Sequence, residues 1–147
     1  MANVRNLLKT KGKNVWTVQV GSTIKETLKV MAEKNIGAVL VLDENKIVGV
    51  FSERDYARHA ARRDSMLIDE PVQEFMTHAV YYVGPAQTVE EVMALMTAKH
   101  IRHLPVLEDD TLIGLISIGD VVKQLIDEKE TTIQGLENYI LGRNFNH

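Results

Sequence analysis

The feature that most constrains this chain is that it is written twice. Shifting the 147-residue sequence by 65 residues lays 15–58 on 80–123 without a gap. Twelve of those 44 positions are identical: Val15/Val80, Val18/Val83, Thr23/Thr88, Glu26/Glu91, Met31/Met96, Lys34/Lys99, Ile36/Ile101, Val41/Val106, Leu42/Leu107, Gly49/Gly114, Ser52/Ser117 and Asp55/Asp120. Others keep their character, as in Ile24/Val89, Leu28/Met93 and Ile47/Leu112. A duplication of this length marks one supersecondary unit used twice.

Each copy opens on a short extended piece, Val15–Val18 or Val80–Val83. An amphipathic helix follows. TIKETLKVMAEK sets Ile24, Leu28 and Met31 at i, i+4, i+7, and TVEEVMALMTAK does the same with Val89, Met93 and Met96. Two apolar runs come next, split by Asp43-Glu44-Asn45 in one copy and Glu108-Asp109-Asp110 in the other, which is a hairpin signal. The runs are apolar nearly throughout, so both faces of each small sheet are expected to be covered. ERDYARHAARR and GDVVKQLIDEK read as closing helices. The expected class is α/β, with the order β-α-β-β-α twice. Residues 1–67 form the first repeat with its N-terminal segment, 68–130 the second, and 131–147 a C-terminal helix and tail. In the linker, Pro71 can start a short helix. In the tail, Thr131 and Gln134 resemble a capping box. Ile133, Leu136 and Ile140 make a stripe that could dock on its own chain or on a second subunit.

Composition narrows the function. With no cysteine, disulfides, thiolate catalysis and cysteine–zinc sites are excluded. The N-terminus lacks the apolar core of a secretory signal, and no apolar stretch approaches the ~18 residues of a membrane span. A cytoplasmic protein is expected. A net charge of -3 argues against non-specific nucleic-acid binding. There is no glycine-rich phosphate loop, GxGxxG or nucleophile–base spacing, so an enzyme is not expected. His100 and His103 are three apart, but metal ligation needs a third ligand that the sequence does not supply. His59 and the arginines of RDYARHAARR read first as a solvated face, with Arg54 and Arg58 able to reach a phosphate or an acidic patch.

The most informative duplicated phrase is GVFSERD (Gly49–Asp55) and GLISIGD (Gly114–Asp120). Ser followed three residues later by Asp, between a strand and a helix, is a good helix cap. The same geometry can bind a nucleotide. A helix N-terminus offers free N–H groups to a phosphate, and an ionised Asp offers two acceptor oxygens to a ribose diol. The residues alone leave both readings open.

This phrase, the β-α-β-β-α repeat, the strands NIGAVLVLD and HIRHLPVLE and the spacing near 65 resemble a tandem pair of cystathionine-β-synthase (CBS) domains, or Bateman module. The likeness covers about residues 5–130. GVFSERDYAR, HIRHLPV, GLISIGDVV and TIQGLENYILG resemble stand-alone bacterial and archaeal members. The resemblance implies two repeats packed sheet against sheet with pseudo-twofold symmetry, and two clefts that take adenosine ligands: AMP first, with ADP, ATP, NAD(H) or another adenosyl compound as alternatives. It implies that Asp55 and Asp120 hold ribose hydroxyls and that Ser52 and Ser117 sit by the phosphate. Ile36, Gly37 and Ala38, with Ile101, Arg102 and His103, would line the clefts. Adenine would lie near Trp16, Thr17 and Val18 and near Tyr81, Tyr82 and Val83. It also implies a homodimer that regulates a separate partner protein, with a ligand-free interaction scaffold as the rival role.

The copies differ near these positions. Arg102 and His103 stand where the first copy has Gly37 and Ala38, and Arg54 stands where the second has Gly119. Arginine suits a phosphate bidentately. By the family pattern, Arg102 and His103 complete the Asp55 cleft, and Gly37 and Ala38 meet the Asp120 cleft. Two unequal sites are expected.

Overall fold

The computed structural model describes residues 2–12, 14–78 and 81–128. The tail features at Thr131–Gln134 and Ile133, Leu136 and Ile140, and Val80 of the second extended piece, lie outside the described residues. Helix α1 (Val4–Lys11) leads into β1 (Thr17–Gln19), α2 (Ile24–Lys34), β2 (Ala38–Asp43), β3 (Lys46–Ser52) and α3 (Glu53–Arg63). A 3-10 turn at Val72–Glu74 and β4 (Thr77–His78) cross to the second repeat, which holds α4 (Val89–Lys99), β5 (His103–Glu108), β6 (Thr111–Ser117) and α5 over residues 118–128. Two β-α-β-β-α repeats are present, the first strand of the second being reduced to one bridge. Among the described residues, no helix is long and apolar enough to cross a membrane.

The repeated sequence gives repeated local structure. Thr23 and Thr88 cap α2 and α4 by accepting from the amides of Glu26 and Glu91 at 3.1 Å each. Asn35 and His100 end those helices in the left-handed region, with φ of 54° and 55°. Both hairpins turn in two residues, between Asp43 and Lys46 and between Glu108 and Thr111. Asp109 and Asp110 both take positive φ, as a type I′ turn requires, whereas in the first hairpin Glu44 does and Asn45 does not. Even the irregularity in register recurs, at Val41/Leu42 and Val106/Leu107.

The sheets are not equal. The first has the order β1-β2-β3-β4, with β1 parallel to β2 and the others antiparallel. The second is the β5-β6 hairpin, with a single parallel bridge from Val83 to Val106. Two prolines account for the loss. In the first repeat Leu40 donates to the Trp16 carbonyl and Val20 to that of Leu42. Their counterparts are Pro105 and Pro85, which carry no N–H. Only the bonds around Val83 survive, to the Pro105 carbonyl at 3.1 Å and from the Leu107 amide at 3.0 Å.

The segments that precede the repeats cross over. Val4, Leu7 and Leu8 of α1 lie in the core of the second repeat, with Val89, Met96, Leu104, Val106 and Ile116. Val72 and Phe75 of the linker lie in the core of the first, with Ile24, Met31, Val39, Val41 and Phe51. Backbone bonds seal both crossings: Val4 donates to Gln87 and Val89 to Ala2, while Val72 donates to Ser22 and Ile24 to Glu70. A third cluster sets Ala38, Leu40 and Val50 of the first sheet against Leu112 and Leu115 of the second.

The glycines of the duplicated phrase serve these crossings. A Cβ on Gly114 would stand 2.6 Å from Leu8 Cδ2. One on Gly49 would stand 2.8 Å from Met76 Cγ and 2.9 Å from the Thr77 carbonyl oxygen. A glycine in each strand therefore lets the incoming segment lie against it.

Candidate functional site

Each Ser-x-x-Asp phrase closes a reciprocal cap. Asp55 accepts from the Ser52 amide at 3.0 Å, and the Asp55 amide donates to Ser52 Oγ at 3.1 Å. The second copy repeats this at 2.8 and 3.1 Å. Both copies also tie the helix start to the hairpin start, Glu53 N–H to the Gly37 carbonyl at 3.0 Å and Ile118 N–H to the Arg102 carbonyl at 2.8 Å. The cap is real, and it leaves carboxylate oxygen free for other donors.

A cleft of about 460 Å³ opens where the first repeat's cap faces the second repeat's hairpin start. Ser52, Arg54, Asp55 and Gly37 line it from one side; Ile101, Arg102 and His103 line it from the other. Arg58, one turn along α3, joins them, as do Tyr81 and Glu53. Three arginines thus face two carboxylates, a local balance that suits an anionic ligand.

The remaining predicted residues lie elsewhere. Ala38 is buried between the sheets, and Ile36 and Trp16 pack against the first core. Lys34 Nζ sits 4.3 Å over the Trp16 ring. Val18 and Val83 are buried, and Thr17 and Tyr82 are exposed. Ser117 and Asp120 form their own cap, outside the residues lining this cleft. His59 is not solvated as expected; it is half-buried, with its ring edge on Phe75 at 5.2 Å.

Two neighbours of Asp55 leave no mark in the sequence pattern. Thr77 Oγ1 donates to Asp55 Oδ1 at 3.1 Å, and His78 lines the cleft. Both come from β4, which pairs Thr77 with Val50 and His78 with Gly49 at the edge of β3. Nor does that pattern point to Lys11, whose Nζ lies 2.6 Å from Asp120 Oδ2.

Charge distinguishes the two carboxylates further. Burial pushes the Asp120 carboxyl up, but hydrogen bonds from Lys11 and Ser117 and the Lys11 charge outweigh it and hold the group below its ordinary value. His103 lies within the influence of both aspartates. Burial lowers its imidazole below the usual value; Asp55 and Asp120 pull it upward, while Lys11 and Arg102 add to the lowering. The balance favours the neutral imidazole, which presents one ring nitrogen as a donor and the other as an acceptor.

A family model for the CBS domain matches the chain twice, over residues 4–62 and 72–127. The mitochondrial CBS domain-containing protein CBSX3 of Arabidopsis thaliana is 32% identical, over 95% of this chain and 72% of its own. A solved CBS-domain protein from Burkholderia ambifaria is 44% identical with a TM-score of 0.80, covering 87% of this chain and 96% of that one. A more distant CBS pair, solved with 5′-methylthioadenosine and S-adenosyl-L-methionine, is 24% identical with a TM-score of 0.72 over 84% of this chain and 99% of that one, and it shares the fold. With two matched repeats, crossed lead segments and a cap made in both copies, the chain belongs to the CBS-domain family as a tandem pair.

Proposed function

We propose that the chain is a regulatory module that binds an adenosine nucleotide, AMP first, in the Asp55 cleft. The observation that carries this is one arrangement. A capped carboxylate with no ion pair among the described residues shares a cleft with three arginines drawn from both repeats. Asp55 can accept both hydroxyls of a ribose. Arg54, Arg58 and Arg102, with the start of α3, can take the phosphate. The adenosyl ligands of the distant CBS pair support this class of molecule. ADP, ATP and NAD(H) share the ribose and phosphate and compete at the same residues.

Because first-repeat and second-repeat residues line the same cleft, a ligand there favours the packing of the repeats that brings both sides to it. A separate partner protein reads that packing, and the coupling is reciprocal. The module works as a cytoplasmic homodimer and carries out no reaction of its own.

The test is a thermal melt of nucleotide-free protein against AMP, ADP, ATP, NAD, NADH and S-adenosylmethionine. A ligand at a hundred times its dissociation constant adds about 2.7 kcal/mol, several degrees for a domain of this size. AMP is expected to raise Tm in the wild type and not in Asp55→Ala. No shift with any of the six would overturn the reading and leave the cap of α3 as structure in an interaction scaffold.

A further inference from the structure

Asp120 holds in the second repeat the place that Asp55 holds in the first, yet a cation already sits on it. Lys11, at the end of α1, donates to Asp120 Oδ2 at 2.6 Å and to the Leu115 carbonyl. The same carboxylate oxygen accepts the Ser117 amide at 2.8 Å. Lys11 is not held there by its side chain alone. Its helix is anchored in the second core by Val4, Leu7 and Leu8, and Arg5 pairs with Glu108 at 2.6 Å. The lysine arrives with a buried element behind it.

Among the described residues, the first repeat has no such occupant. Asp55 Oδ1 accepts from the Thr77 hydroxyl, which is neutral and can turn to another acceptor when a ligand hydroxyl replaces it. A diol approaching Asp120 must instead displace a charge-assisted bond with neutral ones and leave an ammonium without its partner. The two carboxylates therefore differ in availability although their caps are alike.

We propose that Lys11 is an internal occupant of the second carboxylate: it holds Asp120 in an intramolecular ion pair, so that each chain takes up one adenosine ligand, at Asp55, and removing the Lys11 charge opens a second site. The proposal rests on the adenosine reading of the Asp55 cleft.

The test is calorimetric titration of the full chain with AMP, with circular dichroism confirming that each variant is folded. Wild type and Lys11→Arg are expected to saturate at one AMP per chain. Lys11→Met is expected to reach two, the second weaker, and Lys11→Met/Asp120→Ala to return to one. Two sites in the wild type, or a single site persisting in Lys11→Met, would overturn the proposal. So would weakened binding in Lys11→Met, which would make Lys11 a ligand contact. If neither wild type nor Lys11→Met takes up AMP, the adenosine reading fails. The ion pair is then judged by itself, from the Asp120 carboxyl titration followed by carbon NMR. An upward shift in Lys11→Met supports the internal pair, and an unchanged titration overturns it.

Discussion

Asp55 and Asp120 were copied together with everything needed to make them alike, and they ended in different company. Their caps agree closely, with each aspartate amide 3.1 Å from its serine hydroxyl. The helix start of each is tied to its hairpin start, and each strand carries a glycine that admits a crossing segment. What differs is what the crossing segment brings. The linker delivers a threonine hydroxyl and a histidine to the first site, whereas α1 delivers a lysine to the second. Duplication preserves a scaffold through local rules, and the sites diverge through residues that arrive from outside the repeat as well as through exchanges within it, such as Arg54 for Gly119.

The sharpest way to break this comparison is at the glycines. In Gly49→Ala the new methyl meets the Thr77 backbone as well as Met76, and backbone cannot swing aside. In Gly114→Ala it meets only the end of the Leu8 side chain. Overpacking of this kind costs about 1–3 kcal/mol. Gly49→Ala is expected at the upper end and Gly114→Ala at the lower, by urea denaturation. Gly49→Ala is also expected to weaken AMP binding, since it displaces the strand that carries Thr77 and His78.

The caps should behave as equals. Ser52→Ala and Ser117→Ala each remove one helix-capping acceptor, worth about 1 kcal/mol. Denaturation midpoints that fall by similar amounts would support a shared scaffold, and a large disparity would argue against it.

Acid sharpens the contrast between the carboxylates. Asp120 is lowered in the folded protein, so its contribution is present above its unfolded value of 3.8 and lost as pH falls through the folded value. Lys11→Met is expected to cost up to about 1 kcal/mol near neutrality, as for other partly exposed pairs, with the gap to wild type closing as pH falls from 3.8 through the folded value. His103 gives the smallest effect. Its folded value is also lowered, so stability is full above 6.5 and declines as pH falls from 6.5 through the folded value. His103→Gln should flatten that part of the stability–pH curve.

Much of this was legible before the structure. Ser52 with Asp55 is a local signal, and α3 begins where it stands. The acidic turns fell at the hairpin tips because two short apolar runs split by a polar triplet fix where a short sheet must reverse. Arg102 and His103 line the cleft beside Asp55, as the family pattern implied. The crossings were not seen, and the reason is one of register. Val-x-x-Leu-Leu at Val4–Leu8 and Val-x-x-Phe-Met at Val72–Met76 are the same phrase, but they lie 68 residues apart rather than 65. A single fixed shift does not align them. Lys11 and Thr77 reach their aspartates across 109 and 22 residues, through helix docking and strand pairing that no local pattern encodes.

The most direct measurement is a crystal structure of the full chain with AMP. The ribose is expected on Asp55, the phosphate against Arg102 and Arg54, and Lys11 still on Asp120. AMP bound on Asp120 with Lys11 displaced and the Asp55 cleft empty would contradict that expectation.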